Sequence, residues 1–125
     1  MRRTRVIFFA LVALFFLGYT GGWWGGRWYF DTGNTYVHVL GGFFIALLVA
    51  SYYASEFSAL PQPLRFFCIL AIVMGVGVLW EFHEYALGQL FSIPLQGDLA
   101  DTMKDLLMDT LGGAAGGLLA RFPKV

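Results

Sequence analysis

The sequence predicts an all-α membrane protein: a four-helix transmembrane bundle forming one domain over residues 1–125, with N and C termini cytoplasmic. Three observations predict it. The composition is 58% hydrophobic and 18% aromatic, too apolar for an ordinary small soluble domain. Four apolar stretches, at roughly 6–24, 36–54, 64–88 and 103–122, are long enough or nearly so to cross about 30 Å of hydrocarbon as helices. The formal net charge of zero hides an asymmetry: Arg2, Arg3, Arg5, Arg65, Arg121 and Lys124 all fall on one side of a four-span topology, which the positive-inside rule makes cytoplasmic.

The first stretch follows an Arg-rich start, which is also the pattern of a signal peptide, and Thr20 and Gly22 are small enough for a weak cleavage site. The apolar run continues into Gly21-Gly22-Trp23-Trp24, however, resembling an interfacial aromatic belt, so a retained first span is expected. The second stretch carries His38 near its start. The third opens on Arg65 and ends in Trp80-Glu81-Phe82-His83-Glu84-Tyr85. The fourth follows an acid-rich connection around Asp98 and is rich in glycine. Gly112/Gly116 and Gly113/Gly117 form overlapping GxxxG faces, which allow close helix approach and offer a surface for a homo-oligomer. The single Cys68 excludes an internal disulfide and reads as a packing residue.

Against this apolar background the acids stand out. Six of the eight Asp and Glu residues lie between positions 81 and 109. Asp98, Asp101, Asp105 and Asp109 fall on one helical stripe roughly 80° wide, shared with Gly112 and Gly116. Lys104 projects about 100° from Asp105 and is expected to snorkel away to the interface, leaving the acids unneutralised. Alternating helix direction brings His38, Glu81, Glu84 and the start of the acid ladder into the same outer half of the bundle, with Asp109 about 12 Å deeper than Asp101. An ionised acid near the bilayer centre costs about 2.5–3.5 kcal/mol. Such groups are therefore protonated, share a cation, or line a water-filled cavity.

Carboxylates and imidazole in an adjustable frame suit a hard or borderline divalent metal ion. The candidate ligands are Asp101, Asp105, Asp109, Glu81, Glu84 and His38. Glu81, Glu84 and Asp105 are the candidate catalytic groups, and His38 and Asp101, at the rim, the candidates to meet a substrate. Each has a plainer reading. Asp98 and Asp101 suit a helix start, Asp105 and Asp109 could hydrogen-bond a neighbouring helix, Glu81 and Glu84 could be solvated at the interface, and His38 could be an interfacial hydrogen-bonding group. His83 points away from both glutamates and reads as structural. No phosphate-cradling loop, Ser-His-Asp arrangement or basic groove for nucleic acid is present in the sequence.

With these residues in view, the chain resembles the small bacterial inner-membrane proteins grouped as YjdF-like. The resemblance rests on His38-Val39-Leu40-Gly41-Gly42-Phe43, on Trp80-Glu81-Phe82-His83-Glu84, and on Gly97-Asp98-Leu99-Ala100-Asp101-Thr102-Met103-Lys104-Asp105 with Asp109-Thr110-Leu111-Gly112. The last helix is also similar to that of the broader VanZ-like group, with Asp109 standing where that pattern usually has Asn, a change that favours cation binding. The resemblance implies a multi-pass helical bundle in the bacterial inner membrane and implies no particular reaction. The reading expected from the residues is a metal-dependent hydrolase or transferase acting on a membrane lipid or envelope precursor. The alternatives are a proton- or cation-coupled transport module and a non-catalytic partner subunit of a membrane complex.

Overall fold

A computed structural model describes residues 2–28, 32–92 and 95–122. Among the described residues all regular structure is helical: α1 (Arg2–Trp28), α2 (Asn34–Tyr52), the short α3 (Ala54–Ser58), α4 (Gln62–Phe91) and α5 (Leu99–Leu119). The side chains of Arg2, Arg3, Trp23, Trp24 and Arg27, and residues Asp31 and Lys124, on which the expected aromatic belt and part of the charge asymmetry rest, lie outside the described residues.

The helix limits follow from local chemistry. α4 starts after Pro61, with a second proline, Pro63, in its first turn, where a missing N–H costs nothing. It ends at Ser92, whose left-handed backbone (φ 55°) turns the chain back. α5 begins four residues earlier than its apolar stretch suggests, because the Asp98 carboxylate accepts from the Asp101 N–H at 2.9 Å and caps it. After α2 the chain turns at Tyr53 into α3 before α4 begins.

Packing is closest between α2 and α5, and α4 packs against both of them. Three glycines permit the α2–α5 approach. A Cβ at Gly42 would fall on the Asp109 carbonyl, one at Gly112 on the Val39 carbonyl, and one at Gly116 against Phe43 and Ala46. Gly113 meets Val73 of α4, where a Cβ would lie 2.7 Å from Cγ1, and Gly117 meets Phe66 and Ile69. Both glycine faces expected to serve a second copy thus have neighbours within the chain, from α2 and α4.

The acid-bearing half of the bundle holds the start of α2, the end of α4 and the start of α5. The other half is closed by Ala46, Ala50, Phe57, Ile69 and Val73. At that far end Arg65 stacks over the Phe122 ring at 4.2 Å and Arg5 lies beside Tyr52 and Tyr53. α2 and α4 are each long and apolar enough to cross a membrane. Only 22% and 17% of their apolar windows are buried, so these helices turn most of their apolar surface outward, as lipid requires and a soluble core does not. α5 departs from that pattern because its first half carries Asp101, Lys104, Asp105 and Asp109.

Candidate metal centre

The closeness of α2 and α5 decides where His38 goes. With Gly42 seated on the Asp109 backbone, the imidazole one turn earlier on α2 is carried between two carboxylates of α5. His38 Nδ1 lies 3.2 Å from Asp109 Oδ2, and Nε2 lies 3.4 Å from Asp105 Oδ2. Glu81 arrives from α4. All four groups are buried, with exposures of 5% for His38, 5% for Glu81, 2% for Asp105 and 6% for Asp109. The expectation that His38 sits at the rim is therefore corrected: it is at the centre.

Neighbouring polar groups hold one face of each acid. Asn34, one turn before His38, donates to Asp105 Oδ2 at 2.8 Å. The Thr102 hydroxyl donates to Glu81 Oε2 at 2.9 Å, and Gln96 Nε2 reaches the same oxygen at 3.3 Å while also donating to Thr102 Oγ1. Among the described residues three buried atoms make no hydrogen bond: His38 Nε2, Glu81 Oε1 and Asp105 Oδ1, the first with an ion-pair neighbour in Asp105 Oδ2 at 3.4 Å and the last in Lys104 Nζ at 3.8 Å. These belong to the same three residues that each bring a donor atom within 4.8 Å of the others. An unpaired buried polar atom costs about 1–3 kcal/mol, and more when charged, so three such atoms from three helices meeting by accident is an expensive arrangement.

Asp109 stands differently. Its contact is with His38 Nδ1, and donation from Nδ1 leaves the Nε2 lone pair available, the arrangement of a carboxylate that orients a metal-binding histidine. Gly77 on α4 makes room for that carboxylate, since a Cβ there would lie 2.6 Å from Asp109 Oδ2. Gly77→Ala is accordingly expected to displace Asp109 and to lower stability by about 1–3 kcal/mol, measured by thermal unfolding in detergent.

Glu84 and Asp101 are not gathered into the group. Glu84 is half-buried and accepts from Trp80 Nε1 at 2.8 Å, one turn earlier on α4. Asp101 pairs with Lys104, Nζ to Oδ1 2.6 Å, and Lys104 Nζ also lies 3.8 Å from Asp105 Oδ1. Lys104 thus bends back over the acids instead of snorkelling away, because its long stem spans the i, i+3 spacing to Asp101. The His83 ring lies 5.4 Å from that of Trp80.

Sequence reasoning missed Asn34, Gln96 and Thr102. Asn34 carried a usable signal, one turn from His38 on the same face. Thr102 lies about 60° from Asp105 around α5, also legible in retrospect. Gln96 is in the connection before α5, where no periodicity points to it.

Comparison with known families also points to a membrane protein. A family model described as "Predicted membrane protein (DUF2238)" matches residues 4–123. The chain belongs to this family. Membership in DUF2238 is consistent with the YjdF-like resemblance; the VanZ-like one is not shown. No curated protein and no solved structure shows significant similarity to the chain.

Proposed function

We propose that this DUF2238 protein is a multi-pass inner-membrane protein that binds a divalent metal ion through His38 Nε2, Glu81 and Asp105, and uses it to hydrolyse or transfer a group on a lipid or envelope precursor. The observation that carries the reading is the coincidence of the three buried atoms that make no hydrogen bond with the three residues whose donors converge. Protonating His38 would satisfy Nε2 but not Glu81 Oε1, and would leave Asp105 Oδ1 only the Lys104 ammonium at 3.8 Å; one cation would serve all three. One nitrogen with two or more oxygens suits manganese, iron or zinc.

A metal held there supplies Lewis acidity and a bound water ionised near neutral pH. Around it Asp109 fixes the imidazole tautomer, while Asn34, Thr102 and Gln96 hold one oxygen of Asp105 or Glu81 so that the other turns inward. Glu84, set at the edge by Trp80, is placed to take a proton from a water entering the site, and Asp101 with Lys104 forms a polar edge suited to a headgroup. Arg5 and Arg65, lying at the end away from the acids, support a four-span topology with cytoplasmic termini, and in that topology the centre would open toward the outer face. A through-pathway is disfavoured by the apolar core that closes the other half of the bundle.

Graded substitution tests the assignment. Asp105→Asn should abolish stoichiometric binding, whereas Asp109→Asn should weaken it about 10–100-fold without changing the ligand set seen by X-ray absorption. Equal losses at both positions would place Asp109 in the coordination shell; no loss at either would remove the metal from the account.

A further inference from the structure

A cavity of about 230 Å³ lies between α1, α2 and α4, beside the candidate centre. Its walls include Leu11 and Leu14 of α1, Gly41 and Ile45 of α2, and Val76 of α4. Its ionisable lining residues, His38 and Asp109, are both buried and both belong to the centre. The cavity follows α2 from His38 toward Ile45, so it runs from the acid-bearing end of the bundle toward the core. A lipid has the same polarity, with its head near the interface and its chain toward the bilayer middle.

Gly41 supplies an independent observation. Glycine inside a helix costs about 1 kcal/mol relative to alanine. At Gly42, Gly77, Gly112, Gly113 and Gly116 that cost is explained by a neighbour that a Cβ would strike. Among the described residues a Cβ at Gly41 would meet nothing within 4 Å, yet the residue is not exposed: it faces the cavity. The space it leaves open serves no packing among the described residues.

We propose that this cavity holds the apolar chain of a single-chain membrane amphiphile, with an anionic oxygen head placed at the His38/Glu81/Asp105 centre. The cavity is narrow enough to take one unbranched chain segment and to exclude a bundle of chains. The placement of the head rests on the metal reading, since without a cation these acids would repel it. The placement of the chain does not.

The test uses full-length protein in phosphatidylcholine nanodiscs and dodecyl phosphate carrying a mid-chain diazirine, with crosslinks mapped by mass spectrometry and metal content read on the same samples. Labelling is expected at Leu11, Leu14 and Ile45, at least about tenfold lower in Gly41→Leu. Gly75→Leu is the control, since Gly75 is exposed and a Cβ there also meets nothing within 4 Å. Labelling confined to the outward-facing Leu79, Leu107 and Leu118, or equal labelling of the cavity in Gly41→Leu, would overturn the proposal. If the wild type holds no metal and chelator leaves cavity labelling intact, the metal reading fails while the chain site stands.

Discussion

Gly112→Leu is expected to leave no correctly packed bundle. At Gly112 even a single Cβ would land on the Val39 carbonyl and within about 3.0 Å of the Phe43 nitrogen, both backbone atoms of α2. A flexible side chain can move aside at small cost; two helix backbones cannot separate without opening everything between them. The separation would also pull His38 from between Asp105 and Asp109, since the same approach places that ring. Overpacking ordinarily costs about 1–3 kcal/mol, and a bulky side chain against backbone belongs at or above the top of that range. Detergent-solubilised variant should show loss of a monodisperse folded species by size exclusion and circular dichroism. Gly75→Leu, with open space around it, should fold as the wild type does.

Neutralising the centre should reverse the order of stability according to whether metal is present. In Asp105→Asn one buried carboxylate becomes an amide of the same shape. An ionised acid in the membrane interior costs about 2.5–3.5 kcal/mol when uncompensated, so metal-free variant should be more stable than metal-free wild type by an amount of that order. With metal at about a thousand times its dissociation constant the wild type gains about 4 kcal/mol and the variant gains none, so the order inverts. Thermal unfolding with chelator and with added manganese or zinc reads both arms. A purely structural hydrogen-bonding role predicts that the variant's standing relative to wild type does not depend on metal.

The features legible in sequence were those set by helical periodicity and charge. The approximate positions of the long helices followed from apolar stretches, though the short α3 did not, and the convergence of His38, Glu81 and Asp105 followed from alternating direction alone. Asp98 as a cap was legible too, because Asp before a helical run is a local signal. Depth within the site was not. His38 is at the centre because Gly42 and Gly112 let α2 and α5 touch, and which glycines face which helix is a tertiary fact. For the same reason the glycine pairs of α5 could be read as an interface for another chain when α2 and α4 occupy them. The division between Asp105, facing Nε2, and Asp109, facing Nδ1, depends on ring orientation, which spacing does not encode. Lys104 was misjudged from its helical angle because a long flexible side chain reaches beyond its own stripe.

The most direct test of the metal centre is elemental analysis of the detergent-purified protein after dialysis against manganese, iron and zinc, beside Asp105→Asn carried through the same steps. The account predicts about one equivalent of a divalent metal in the wild type and none in the variant. No metal in either protein, or equal amounts in both, would contradict it.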